Sequence, residues 1–559
     1  MKLLLLRSSL TVMMIAALLH FAPSGRSAHA DGFDHYVPDE VILKLYEPAD
    51  LTGVAAEYAL GLPPLDQFGA APIYRMRILD EAPVLEKALA LTEDSRVLYA
   101  EPNIIGRVPE AQQQVSWAKG DEAQGYQEQW AVGVIRLPEA HTVTRGTGIT
   151  VAILDTGVDL SHPVLASRLV PGYDFVDRDA DPSEQGTRGF HLAFGHGTHV
   201  AGLVALVAPA AKIMPVRVLD PDGAGNIWIL AEALAYALDP DGDPLTDDGA
   251  DVINLSLSTP LPTDLLADIL GGTICEESTE SCPGGTRGAV VIAAAGNSGS
   301  TLLEYPAAEG VAGLVSVGAS ERTDRLAAFS NNGSWIHVAA PGDTILSAVP
   351  GGEAGLWSGT SMAAPIVAGT AALVRAAYPA MEPDSVVTQL LKTSANIGGP
   401  VPRRIDTAAA VGVPAPYLKG TYYCTGVLGS SIVDHILVAK DKTCTLNRTR
   451  VLGNIKVEEG GTLNANYVNA SGNLQADKAA SISVLDSTFR GSIQLKESRV
   501  VALRETYVLG NIEVYKTVLT SLISHNMVGG NLQCQDNILP PTGVANLVQG
   551  NKEAQCAGL

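Results

Sequence analysis

Basic residues are scarce in this chain of 559 residues: 37 Lys and Arg stand against 60 Asp and Glu, a formal charge of −23. So acidic a chain cannot neutralise phosphates over a broad face, which excludes a nucleic-acid partner. Long apolar runs are missing too. Beyond the N-terminus no stretch of about 18 apolar residues occurs, so no membrane-spanning helix is expected. Cysteine is sparse at 6 residues, and none sits in a CxxC pair of the kind that holds zinc. Charged residues make up only 17% while 46% are hydrophobic, which excludes a disordered chain. The length exceeds one core, and at roughly 150 residues per domain several folded domains are expected.

The first residues read Met1-Lys2, a leucine run broken by Arg7, then an apolar stretch from Leu10 to Phe21 and small residues ending Ala28-His29-Ala30. A basic start, a short apolar core and an A-x-A site describe a secretory signal over residues 1–30, cleaved after Ala30. The cysteines agree with export. They fall as sequence neighbours, Cys275 with Cys282, Cys424 with Cys444 and Cys534 with Cys556, which suggests three local disulfides.

Patterning divides the rest into four segments. Residues 35–108 alternate strand-like and helix-like stretches, and 109–129 is a polar tract with no apolar period, an exposed linker. Residues 130–411 alternate short apolar strands, such as Ile149–Leu154 and Ala289–Ala294, with helices such as His199–Val207 and Ser361–Ala377. That alternation predicts an α/β fold, a parallel sheet with helices on both faces. In residues 412–559 the corners Gly453-Asn454, Gly472-Asn473, Gly491-Ser492 and Gly510-Asn511 recur every 19 residues, with Gly530-Asn531 one residue late. Short alternating strands between Asn/Gly corners predict an all-β, right-handed parallel β-solenoid with one coil per repeat. A β-sandwich is the competing fold.

Three stretches of the central segment carry chemistry. In Val151-Ala152-Ile153-Leu154-Asp155-Thr156-Gly157 an apolar strand ends in an aspartate and a glycine turn, at the carboxyl edge where such sheets build their sites. Gly195-His196-Gly197-Thr198-His199 opens an apolar helix, with glycines leaving the imidazole accessible. Gly359-Thr360-Ser361-Met362-Ala363 opens another, where free N–H groups and the helix dipole favour a developing oxyanion. Singly they read as a turn aspartate, a metal-type histidine pair and an N-cap serine. Together, in the order Asp, His, Ser, they resemble the subtilisin-like serine proteases (subtilases, peptidase family S8), whose signatures are DTGVD, GHGTHVAG and GTSMAAP.

The resemblance implies a serine endopeptidase acting on protein or peptide substrates without a cofactor for the chemistry. Ser361 would attack the scissile carbonyl, His196 take its proton, and Asp155 orient the imidazole. Ala293-Ala294-Ala295-Gly296-Asn297 matches the family's oxyanion segment, which implicates the Asn297 amide and puts Ala294 and Gly296 beside the substrate. Asp251 to Leu257 resembles the strand that pairs with substrate through Ser256 and Leu257. Ser258 and Thr259 replace the two glycines usual there, which implies a narrower pocket or a tilted substrate. Residues 35–108, with Glu101-Pro102-Asn103 as their ending, resemble the inhibitory propeptide: a ferredoxin-like α+β module acting as intramolecular inhibitor, with processing inside 109–129. A permanently attached domain is the alternative.

Two features stand outside that scheme. Asp239, Asp241 and Asp243 alternate around Gly242, with Asp247-Asp248 following, a pattern that either supplies oxygens to calcium or forms a solvated acidic loop. The solenoid has no catalytic cluster: His435 and His525 are isolated, and its faces offer a polysaccharide, a protein or a cell envelope a binding surface. A second functional class follows, a surface adhesion or binding protein whose protease domain serves its maturation or release.

Overall fold

The computed structural model describes residues 35–108, 116–118, 125–243, 246–273, 288–397 and 399–559. The signal sequence, the Cys275–Cys282 pair and most of the 109–129 tract lie outside these residues. The chain forms two compact units, one of residues 35–126, 144–319 and 326–405, the other of 127–143, 320–325 and 406–559. The short helices Trp130–Val134, Leu137–Ala140 and Thr407–Ala410 belong to the second unit.

The first unit opens with β1 (Tyr36–Leu45), α1 (Leu51–Glu57), β2 (Asp66–Gln67), β3 (Ile73–Arg77), α2 (Val84–Thr92) and β4 (Val97–Arg107). The antiparallel order β2-β3-β1-β4 is ferredoxin-like. Strand alternation explains its two packing faces: Val41, Leu43 and Met76 face α1 and α2, while Ile42, Ile73, Tyr99 and Ile104 join the core of the large sheet. Glu101-Pro102-Asn103 does not end this module. The strand continues through Arg107, because both its edges find main-chain partners.

After β5 (Ser116–Ala118) come β6 (Thr150–Asp155), β7 (Tyr173–Asp174), α3 (His196–Val207), β8 (Lys212–Arg217), β9 (Ala224–Asn226), which pairs with β4, α4 (Ile227–Leu238), β10 (Val252–Leu255), α5 (Asp264–Thr273), β11 (Val290–Ala294) and β12 (Leu314–Ser320). There follow β13 (Val338–Pro341), β14 (Ile345–Val349), β15 (Glu353–Trp357), α6 (Thr360–Ala377), α7 (Pro383–Thr393), β16 (Ala395–Asn396) and β17 (Arg403–Arg404). The order of the large sheet is β16-β17-β13-β12-β11-β10-β6-β8-β7, and β12, β11, β10, β6, β8 and β7 pair in parallel. Parallel strands buried on both faces need continuous apolar runs, and Val151–Leu154 and Val290–Ala294 are fully buried. The strand β5 falls in the tract read as a linker: its main chain pairs antiparallel with β15, a bond that demands no apolar period.

The second unit is a stack of short parallel strands in two sheets. One inward column runs Ile455, Leu474, Ile493, Ile512, Leu532 at successive coils. The Gly-Asn corners have a steric cause. A Cβ on Gly472 would lie 2.4 Å from Asn454 Oδ1 and 2.5 Å from the Gly453 carbonyl oxygen, and Gly491 and Gly510 are crowded alike. In turn Asn454 Oδ1 accepts the Asn473 N–H of the next coil at 2.8 Å. Disulfides join Cys424 to Cys444 and Cys534 to Cys556 in the terminal coils. His435 serves the stack as well, its Nδ1 accepting the Asn454 N–H at 3.1 Å, and His525 lies 2.9 Å from Ser524 Oγ.

Candidate active site

Asp155 is the last residue of β6, at the carboxyl edge of the sheet. Its Oδ1 accepts the Thr156 N–H and lies 2.7 Å from His196 Nδ1. Both residues are buried. A carboxylate at Nδ1 holds the proton there and leaves Nε2 as the basic atom. His196 opens α3 after Gly195, whose φ of 94° lies in the left-handed region. Gly197 is needed for approach, since a Cβ there would come within 2.1 Å of the Gly157 carbonyl oxygen.

Ser361 is the second residue of α6, after Gly359. Its Oγ donates to the Ser256 carbonyl at 3.2 Å, and Ser256 Oγ donates to the Ser361 carbonyl at 3.1 Å. Asn254 Nδ2 in turn donates to Ser256 Oγ at 2.9 Å. The nucleophile candidate is thus tied to the end of β10.

Asn297 Oδ1 accepts from Thr360 N–H at 2.9 Å and from Thr360 Oγ at 3.1 Å, which orients its amide so that Nδ2 is the donating end. Gly296, at φ 95°, donates its N–H to Thr360 Oγ1 at 3.0 Å. Ala294 closes β11 and Leu257 is buried beyond Ser256. Ser258 exchanges both main-chain hydrogen bonds with Arg107 at 2.9 Å, and Thr259 both with Tyr305 at 2.8 Å. Pairing is a main-chain property, and these side chains leave it intact.

On the other side Val108 N–H donates to the Gly223 carbonyl at 2.9 Å. Residues 105–108 therefore run between two edges of the large-sheet domain, β9 and the Ser258 stretch. The module is clasped further back by Glu101, whose carboxylate accepts Asp264 N–H at 2.7 Å and Leu265 N–H at 3.0 Å at the start of α5. Burial, then the neighbouring Asp264, push the Glu101 pKa well above the usual carboxylate range.

Several further residues surround these side chains, two of them, His199 and Thr360, inside the signature motifs. Trp357 stacks on His199 at 5.3 Å between ring centroids and lies 5.6 Å from the His196 ring. His199 Nε2 faces the carbonyls of Ile345 and Gly355, and burial pulls its pKa down to about 3. Asn331 holds the loop that carries Gly296 and Asn297, donating to the Ala295 carbonyl and accepting from Ser298 N–H. Glu184 sits in a loop, with nothing in its local sequence to mark it. Thr360 lay inside a recognised motif, where a hydroxyl held between Gly296 and Asn297 was the missed signal.

The acidic loop differs from expectation. Asp239, Asp241 and Asp248 bring an oxygen each within 4.8 Å of one another, whereas Asp243 gives its main-chain N–H to Asp241 Oδ1. The loop turns back through Thr246, whose hydroxyl bonds Asp241 and the Asp243 carbonyl, so sequence alternation did not predict the third member. Burial, then Asp241 and Asp248, raise the Asp239 pKa, a repulsion that a cation would relieve.

Comparison with known proteins decides the family. The Subtilase family profile matches residues 146–417. The chain is 35% identical over 355 residues to a thermophilic serine proteinase of Bacillus sp. (strain AK1), covering 61% of this chain and 78% of that one. It is 38% identical over 252 residues to thermitase of Thermoactinomyces vulgaris, covering 43% and 79%. The chain belongs to the subtilase family. This subtilase also shares its fold with fervidolysin of Fervidobacterium pennivorans, a keratinolytic enzyme related to subtilisin, at a TM-score of 0.54 and 22% identity over 71% of this chain and 65% of that one. It is a subtilisin-like serine endopeptidase.

Proposed function

We propose that this subtilase is exported, matures from a self-inhibited precursor, and cleaves peptide bonds with Asp155, His196 and Ser361. The single observation that supports the triad most is the 2.7 Å contact between Asp155 Oδ1 and His196 Nδ1. It leaves Nε2 to take the Ser361 proton as Oγ attacks the carbonyl carbon. The carbonyl oxygen becomes an oxyanion that Asn297 Nδ2 stabilises, its amide pinned by Thr360. The imidazolium then gives its proton to the leaving amine, and water hydrolyses the acyl-enzyme by the same route. Ser256, Leu257, Ala294 and Gly296 line the substrate path, and the Ser256 carbonyl, which accepts from Ser361 Oγ here, is an acceptor for substrate N–H.

Residues 35–108 act as the intramolecular inhibitor. The antiparallel pairing of Arg107 with Ser258 is the pairing an extended substrate would make. Release requires a cut within 109–129. The solenoid tethers the enzyme to a polysaccharide or cell envelope; exposed Gln475 and half-buried Gln494 and Glu513, bonded in one column, support a polar ligand face. A fluorophosphonate probe tests the central reading: mature protein should be labelled once per chain, and labelling should vanish in Ser361→Ala. Unlabelled mature wild type overturns it. The Ser361→Ala protein should also persist as one long precursor, and clipping of the pure variant near residues 105–130 would refute self-processing.

A further inference from the structure

Behind the Asp155–His196 pair lies a second carboxylate that the mechanism above does not use. Glu184 Oε1 accepts from the Thr156 hydroxyl at 2.6 Å. Its Oε2 accepts from the Thr198 hydroxyl at 2.8 Å and the Thr198 N–H at 3.1 Å. Each threonine passes the restraint on. Thr156 Oγ1 accepts the Gly197 N–H at 2.9 Å, and Thr198 Oγ1 accepts the Asp159 N–H at 2.9 Å. One carboxylate thus ties the residue after Asp155 to the residues on the far side of His196.

The loop that brings Glu184 there is itself paired to this stretch. Glu184 N–H donates to the Val158 carbonyl and Val158 N–H to the Pro182 carbonyl, both at 3.1 Å. Gly157 permits it, since a Cβ at that position would lie 2.7 Å from the Ser183 carbonyl oxygen. A turn aspartate and a helix-opening histidine come from elements with separate sequence positions. Glu184 is bonded to a chain neighbour of each, Thr156 next to Asp155 and Thr198 two residues past His196.

We propose that Glu184 is a positioning residue for the Asp155–His196 couple and an electrostatic modulator of it. The proposal rests on the triad reading above. Among titratable groups Asp155 on β6 acts on Glu184, Asp159 is bonded to the far side of Thr198, and His196 on α3 precedes Thr198 by two residues. Burial, and in smaller part the Asp155 charge, push the Glu184 pKa up to about 7, against the bonds that Thr156 and Thr198 donate. An ionised Glu184 adds negative charge behind the imidazole and favours the imidazolium; a protonated Glu184 removes it. The carboxylate therefore acts twice, through geometry and through charge.

The two contributions separate in three variants. Glu184→Gln keeps size, and its amide oxygen can still accept from Thr198 while its NH2 donates to Thr156 Oγ1, but it carries no charge, so the acid-side inflection of kcat/KM should move to lower pH while KM stays within about twofold. Glu184→Ala removes both threonine anchors, and kcat should fall up to about 10²-fold by misalignment. Thr198→Val keeps the charge and loses one anchor, so it should lower kcat without moving the inflection. All are measured on a short peptide substrate in mature enzyme, with active sites counted by fluorophosphonate titration. Wild type that takes up no probe would defeat the triad reading instead. Labelled Glu184→Gln with an unmoved inflection would overturn the electrostatic part, and labelled Thr198→Val and Glu184→Ala with wild-type kcat the positioning part.

Discussion

The large sheet and the solenoid are both parallel β-structures, yet they distribute chemistry in opposite ways. In the sheet, each strand leads into a different crossover, so Asp155, His196, Asn297 and Ser361 arrive from four elements that share only an edge. In the solenoid every coil repeats its predecessor, so each position stacks on its own kind: Gly on Gly, Asn on Asn, Ile on Leu. Repetition satisfies the backbone and fills a core with few residue types, but it builds ladders and not convergent constellations. Among the described residues the solenoid histidines illustrate this, each bonded locally to its own stack.

Substitutions in either unit break or sharpen the contrast. Ser361→Ala should cut peptidase activity by about 10⁶-fold while the melting of the solenoid stays put, as read by peptide hydrolysis and calorimetry. Asn297→Leu should cost about 10² to 10³ in kcat with KM little altered, because its donor matters in the transition state. Gly472→Val inverts the pattern. A Cβ there meets Asn454 Oδ1 and the Gly453 carbonyl, so the solenoid transition should weaken by about 1–3 kcal/mol while hydrolysis of a short peptide is unchanged.

Acid should separate the units through His199. Burial depresses its native pKa to about 3, below the ordinary value of about 6.5. A depressed histidine stabilises the fold fully above pH about 6.5, and that contribution is lost as pH falls toward 3. Urea unfolding of the protease unit, followed between pH 7 and 4, should show a shallower pH slope in His199→Gln. The smallest effect concerns the acidic loop: chelation should lower the protease melting temperature by a few degrees, calcium should restore it, and Asp248→Asn should abolish the response.

Much of this was legible in the sequence because the signals were local. The Gly-Asn period is a consequence of crowding at each corner, so it had to be written into every coil. The three motifs were readable because a helix-opening histidine or serine needs small neighbours on the chain itself, as Gly197 against the Gly157 carbonyl demonstrates. What escaped were partners distant along the chain. Which acidic residue of the stretch joins Asp239 and Asp241 depended on how the loop folds back through Thr246, and β5 on a main-chain pairing that leaves no side-chain pattern. The strand past Glu101-Pro102-Asn103 was likewise invisible, since its partners are β9 and Ser258.

The sequence by itself determined the family, the α/β alternation, the 19-residue coil and the identity of the four chemical candidates. Each of these is a property of neighbours on the chain or of a fixed period. Only the tertiary structure decided that Glu184 stands behind Asp155, that Thr360 fixes the direction of the Asn297 amide, and that residues 105–108 lie along the Ser258 edge. The reason is physical. Hydrogen bonds and buried charges act over a few ångströms of space, and folding alone sets which distant residues come that close.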